Sequence, residues 1–406
     1  MNLFWAFLIF IKCGISYLFI GEEAIITMCH ELARINVFYV KFFQAISSNK
    51  DLLSPHLKKQ LTEYTDNVPY HSNDLDYSFI GHLEENNIYL DDEYPINSGV
   101  ISLVYTATNS HTQKRYVVKT KRRDIENKLA NSIKEIRFVI FILSYLPYLK
   151  DLNISDVFEE NADSIQEQVD FVKECENTLT MGNLNKKIDY IVIPQIYPEY
   201  TRENPDILVM DYLEGKRLCD VLPEENDKYC EILAKFSIKC IFFDGIFHGD
   251  MHQGNLIFMK EDDTYRVGAI DFGIMGKLTR NEQDKFYQFM EYLNQNEIYK
   301  CAELLLFHIT EPQDIVNTMD SFFRDALIKD IATLINQAMV VHHQITPHDI
   351  YLISRLLKRY GLKIARFFCK VQLAYVINEG VCKSLSKDKP FILWFKEILQ
   401  NNFIKY

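Results

Sequence analysis

The segment His248-Gly249-Asp250-Met251-His252-Gln253-Gly254-Asn255, followed by Ala269-Ile270-Asp271-Phe272-Gly273, carries residue types suited to phosphoryl transfer. That reaction needs a carboxylate to orient the attacking hydroxyl and oxygen ligands from two places to hold Mg²⁺ against the phosphates. The pattern D-x-x-x-x-N and then D-F-G supplies all three, with Asp250 as base or orienting group and Asn255 and Asp271 as metal ligands. The competing explanation is a chance turn rich in Gly and Asp. D-F-G alone would not exclude it, but both elements in this order argue against it.

Upstream, Lys119 ends the strand-like run Tyr116-Val117-Val118 and is placed to reach nucleotide phosphates as a point charge, provided a helix carboxylate holds it. Glu174 is the natural partner, although Glu167 and Glu176 satisfy the spacing equally well. The competing reading of Lys119 is a solvated basic patch, since Lys121, Arg122 and Arg123 follow directly, but its position after an apolar strand favours Lys119 over these neighbours. The run Asn97-Ser98-Gly99-Val100-Ile101-Ser102-Leu103-Val104 occupies the place of a phosphate-covering loop, where small residues let the backbone approach a nucleotide. Gly99, Val104, Lys119, Met210 and Tyr212 are the candidate nucleotide contacts.

The elements that must position these residues follow from hydrophobic periodicity. Strand-like alternation over 89–121, with a turn at Asn109-Ser110-His111, predicts a hairpin-rich small domain. Helical patterns follow near 125–148 and 164–179, then short buried strands at 190–193 and 207–210. From 227 onward the chain reads as largely helical, interrupted by the Gly-containing segment 248–276. Preceding all of this is a helical pattern over 25–61, broken at Pro55 and Pro69, and then a polar linker.

With 406 residues, 48% of them hydrophobic, the chain can bury a two-domain core. A net charge of −12 without a long basic run argues against nucleic acid as a partner, since phosphate neutralisation supplies most of that affinity. The nine cysteines are scattered without C-x-x-C pairs, which points to a reducing, intracellular setting. Residues 3–20 hold eleven Leu, Ile or Phe, interrupted by Lys12. Their summed insertion energy of about −3 to −6 kcal/mol stands against roughly +3 for the lysine. The stretch therefore reads either as a packed apolar helix or as a membrane anchor or interfacial helix.

These ordered blocks resemble the UbiB/AarF (ADCK) atypical kinases. Tyr39-Val40-Lys41-Phe42-Phe43-Gln44-Ala45 with Asp51-Leu52-Leu53-Ser54-Pro55 is similar to the K-x-G-Q extension of that family. Gln168-Val169-Asp170-Phe171-Val172-Lys173-Glu174 resembles its E-x-D region and lysine-pairing helix, and Tyr375-Val376-Ile377-Asn378-Glu379-Gly380-Val381 its C-terminal helix. Phe43 replaces the glycine of K-x-G-Q and Gln168 the first acid of E-x-D, so a Lys41 to Gln168 contact would be a hydrogen bond and not a salt bridge.

The resemblance implies an α+β, two-lobe protein-kinase-like fold with a helical N-terminal extension that binds ATP and Mg²⁺. The expected divisions are an apolar helix at 1–24, the extension at 25–88, the small lobe at 89–212 and a helical lobe at 213–406. It also implies kinase or ATPase activity on a lipid-related or small-molecule acceptor, with membrane association. The link from Gly273 to a helix near Asn281 is short and lacks A-P-E, so a peptide-docking platform is not expected. Two other readings compete: a small-molecule phosphotransferase of the aminoglycoside or choline kinase type, and a nucleotide-binding pseudokinase scaffold.

Overall fold

The computed structural model describes residues 23–35, 70–143, 166–342 and 345–385 continuously, and isolated positions elsewhere. The segments 39–45 and 51–55, which carry the K-x-G-Q resemblance, lie outside the described residues, as does much of 3–20. Among the described residues no helix is long and apolar enough to cross a membrane. The chain forms two compact units, Met1–Leu179 with Gln195–Tyr212, and Thr180–Pro194 with Leu213–Tyr406.

The first unit contains helices α1 (Glu23–Ile35), α2 (Ile80–Glu84) and α3 (Ile125–Leu143), most of α4 (Phe171–Asn185), and α5 (Pro198–Glu203). Its antiparallel sheet joins β1 (Ile88–Leu90), β2 (Asn97–Ser98), β3 (Ser102–Asn109), β4 (Arg115–Lys121) and β6 (Ile207–Asp211). Asn109 sets the β3–β4 turn by accepting the His111 and Thr112 N–H groups on Oδ1, at 3.0 and 2.9 Å.

Both faces of this sheet are covered, and alternation decides which residue goes where. One face sends Leu103, Tyr105, Ala107, Tyr116, Val118, Ile207 and Val209 against Phe79 and Leu83. The other packs Val117, Leu208 and Met210 against Phe171 and Cys175 of α4. Because Val104 opposes Lys119, and Lys119 opposes Leu208, all three side chains leave the sheet on the α4 side.

Helix α4 begins at Phe171, later than the periodicity predicts, and extends beyond Leu179 to Asn185. The reason for its start is Asp170, whose Oδ1 accepts the Lys173 N–H at 3.0 Å and so caps the first turn.

In the second unit, α6 (Asn226–Ile238) runs into a π-helical turn, Lys239–Asp244. The chain then reverses at Gly245, φ +68°, into β7 (Ile246–His248). A hairpin of β8 (Leu256–Glu261) and β9 (Thr264–Ala269) takes β5 (Ile191–Val192) parallel to β9, while β10 (Met275–Lys277) pairs with β7.

The remainder of this unit is mostly helical. Helix α7 (Arg280–Asn294) starts on a capping box between Thr279 and Glu282. It is followed by α8 (Ile298–Leu304), α9 (Gln313–Thr318), α10 (Ser321–His342), α11 (Pro347–Lys358) and α12 (Arg366–Leu385). Phe286 and Phe289 of α7 close on Phe368 of α12, with ring centroids 5.6 and 5.0 Å apart, at the centre of the core.

Candidate active site

In the first unit the sheet and α4 bring together two of the predicted residues. Lys119 Nζ lies 2.7 and 2.9 Å from the two carboxylate oxygens of Glu174. The lysine side chain is 13% exposed and the glutamate 1%, so each charge is compensated by the other where water has little access. Phe171, one turn before Glu174, places its ring 5.2 Å from the ammonium. Of the alternative carboxylates, Glu167 pairs instead with Lys173 at 3.6 Å.

Gly99 sits in the turn between β2 and β3, and its N–H donates to Ser102 O at 2.8 Å. Its own amide is therefore used inside the turn. A Cβ there would meet nothing closer than 3.6 Å, so the fold itself does not demand glycine at this place. Met210 is buried beside Leu208. Tyr212, just past β6, lies under the Arg115 guanidinium at 3.9 Å.

Of the basic residues that follow Lys119, Lys121 and Arg122 are buried and Arg123 is exposed. Lys121 is paired with Glu126 and Asp206, each at 2.8 Å, and the Arg122 side chain is only 2% exposed. Burial would lower the Lys121 pKa, but the two carboxylates outweigh it and raise it. A charge run of this kind is usually solvated, and here Glu126 nearby and the distant Asp206 and Asp74 supply its partners.

In the second unit the hairpin explains how Asn255 and Asp271 converge. Leu256 at the start of β8 pairs with Ala269 at the end of β9, so the residues flanking these positions emerge at the same end. Ile270 N–H donates to Asn255 O at 3.1 Å and laces the two flanks together. Asn255 Nδ2 donates to Asp250 O at 3.0 Å, a bond that does not use its Oδ1. Asp271 Oδ1 accepts the Gly273 N–H at 3.0 Å, which fixes the carboxylate rotamer.

Asp250 follows β7, and Gly249 N–H donates to Ile274 O at 2.8 Å, continuing the β7–β10 pairing into the loop. His248 Nδ1 accepts the Asp250 N–H at 3.0 Å. Burial pushes the His248 pKa down against the pull of the Asp271 and Asp250 charges, so the ring is a neutral prop for this loop. His252 accepts the Gly254 N–H at 3.0 Å and caps the short turn that ends at Asn255.

The donors gathered here are hard oxygens, one carboxylate and one amide. Among the described residues no cluster of three or more His, Cys, Asp or Glu is assembled for a metal. One or two protein oxygens completed by phosphates and water is the way Mg²⁺ is usually held, so this donor set fits Mg²⁺.

An antiparallel sheet with an ion-paired lysine, together with a D-x-x-x-x-N loop and a D-F-G segment on a hairpin, defines an α+β protein of the protein-kinase-like class. The ABC1 atypical kinase-like domain matches residues 84–305, and the chain belongs to that family. It is 28% identical over 297 residues to the "Probable protein kinase UbiB" of Tolumonas auensis, covering 68% of this chain and 52% of that protein. With the protein of the same name from Erwinia tasmaniensis it is 28% identical over 389 residues, 90% of this chain and 69% of that one. The chain thus spans about half the length of the first of these relatives. The Mycobacterium tuberculosis protein Rv3197, solved with erythromycin, aligns over 85% of this chain and 90% of its own, at 15% identity and a TM-score of 0.46.

Two residues have structural roles beyond those the sequence assigns. Asp170, part of the E-x-D-like region, caps α4, as its place before an apolar run allows, and Arg122 is buried among hydrogen-bond acceptors.

Proposed function

We propose that this protein binds Mg-ATP and hydrolyses or transfers its γ-phosphate, with a lipid-related or small-molecule acceptor in place of a polypeptide. The observation that carries this reading is the hairpin end at which Asn255 and Asp271 emerge together, next to the loop bearing Asp250. In this reading Asn255 and Asp271 hold the metal, which when bound neutralises charge on the β- and γ-phosphates. Lys119, held by Glu174, orients the phosphates, while Gly99, Val104, Met210 and Tyr212 surround the nucleotide. Asp250 accepts or orients the proton of the attacking hydroxyl, and the His248 bond to its backbone keeps the loop in register.

The acceptor class is argued from the stretch after D-F-G. Residues 275–277 pair directly with β7, Leu278 N–H donates to Gly245 O at 2.8 Å, and α7 starts at Arg280. Little backbone is left to present a peptide substrate. The apolar stretch 3–20 is the part of the chain that this reading would put at a membrane surface. The test is ATP turnover with Mg²⁺, with and without vesicles, beside a screen of peptide and lipid acceptors. Turnover without peptide phosphorylation is expected, and rapid phosphorylation of generic peptides by the intact chain would overturn the acceptor class.

A further inference from the structure

Arg122 follows β4 immediately, three positions beyond Lys119, and its guanidinium is engaged on several sides. Nε donates to Gly99 O at 3.0 Å, in the turn between β2 and β3, and Nη2 to Ser98 Oγ at 2.8 Å, at the end of β2. Nη2 also donates to Val68 O at 3.1 Å, and Nη1 to Asp74 Oδ2 at 3.1 Å. The Arg122 N–H donates to Ile101 O at 2.9 Å, so the turn is held from its far side as well.

Val68 is itself locked onto the turn, its N–H donating to Ser98 O at 2.8 Å while Ser98 Oγ donates to Val68 O at 2.7 Å. Asp74 is held by Lys128 at 2.9 Å and by the His71 N–H at 3.0 Å. Val68, Asp74, Ser98 and Gly99 therefore converge on one planar cation. A lysine would keep the charge but could not reproduce the fork.

We propose that Arg122 is a positioning residue for nucleotide binding. It fixes the shape of the segment 97–102, within the candidate phosphate-covering loop, and ties Val68 to that loop. The inference rests on the proposed Mg-ATP reading and adds to it the residue through which the loop and the chain preceding the sheet are coupled. A role confined to stability would change unfolding but not the nucleotide.

The test uses the full chain as Arg122→Lys and Ser98→Ala, with Asp271→Asn as the control for the reading itself. Thermal unfolding without nucleotide establishes that each variant folds; titration and steady-state assays with Mg-ATP then give Kd, KM and kcat. Arg122→Lys is expected to raise Kd and KM about tenfold with kcat nearly unchanged, and Ser98→Ala to raise them about threefold. Mg-ATP is expected to slow amide exchange in the peptides carrying Val68 and Gly99 in the wild type, and not in Arg122→Lys.

Folded Arg122→Lys with wild-type Kd and KM would overturn the proposal. If that variant does not fold, unchanged affinity in Ser98→Ala overturns it instead. A wild type that shows no Mg-ATP binding at all overturns the reading on which both rest, whereas wild-type binding with unaffected variants overturns this inference alone.

Discussion

The Lys119 ammonium and the Glu174 carboxylate meet at 2.7 Å, and the acid is the more deeply buried of the two, 1% exposed against 13%. Charge-assisted pairs of this length are strong, but removing one partner leaves the other charge desolvated and uncompensated. The consequences of breaking the pair should therefore be unequal from its two sides.

Lys119→Met should destabilise the protein by about 3 kcal/mol, because it strands the buried carboxylate, while Glu174→Gln leaves a more accessible ammonium beside an amide and costs less. Urea unfolding of the two variants and of the double variant checks this. The double variant should recover a large part of the Lys119→Met loss. Equal losses from the two single changes would contradict the burial asymmetry.

Asp170→Ala should lower stability by about 1 kcal/mol through loss of the α4 cap, whereas Asp170→Asn, which keeps the acceptor oxygen, should be close to neutral. Because the cap fixes the turn that presents Glu174, the alanine variant should also weaken nucleotide binding. Thermal denaturation and a nucleotide titration on both variants read these effects separately.

Gly276 opposes Phe247 across the β7–β10 pair, and a Cβ on Gly276 would clash with the Cζ end of the Phe247 ring. Gly276→Ala is expected to cost about 1–3 kcal/mol by overpacking and to disturb the strand that leads to Asp250. Combining it with Phe247→Leu should restore part of the stability, which chemical denaturation will show. An unperturbed single variant would mean that the two strands separate more readily than their register implies.

Asp74 carries a pH signature. Burial alone would raise its pKa, but the Lys128 bond, the His71 N–H and the Arg122 charge together hold it below the ordinary 3.8. A folded pKa below the unfolded one means stability that is present above the unfolded value and lost as pH falls through the folded one. Comparing wild type with Asp74→Asn by urea unfolding at pH 6 and at successive steps below 3.8, the wild-type advantage should shrink in the acid range. A constant difference across that range would contradict the pairing.

Much of the candidate site is legible in the sequence because its residues fall in short local patterns. D-x-x-x-x-N and D-F-G name Asp250, Asn255 and Asp271 without reference to anything distant, and apolar alternation around Val118 is enough to place Lys119 on a strand. Arg122 shows where such reading ends. Its partners Asp74 and Val68 lie 48 and 54 residues away along the chain, and nothing in the run Lys121-Arg122-Arg123 announces that its middle residue will be buried. The break before α4 has another cause. Residues 166–167 are helical as the apolar pattern predicts, but the chain turns at 168–169 before Asp170 caps a new helix, and periodicity does not register such a break.

The central claim is that Asn255 and Asp271 hold a metal-bound nucleotide. It is tested most directly by calorimetric titration of ATP into the wild type and Asp271→Asn, each with Mg²⁺ and with a chelator. Asparagine keeps the oxygen that accepts the Gly273 N–H, so the variant should fold normally. The account predicts Mg²⁺-dependent binding by the wild type and a loss of at least about tenfold in Asp271→Asn, a difference of ~1.4 kcal/mol. Equal affinity in the two proteins, or binding indifferent to the chelator, would contradict it.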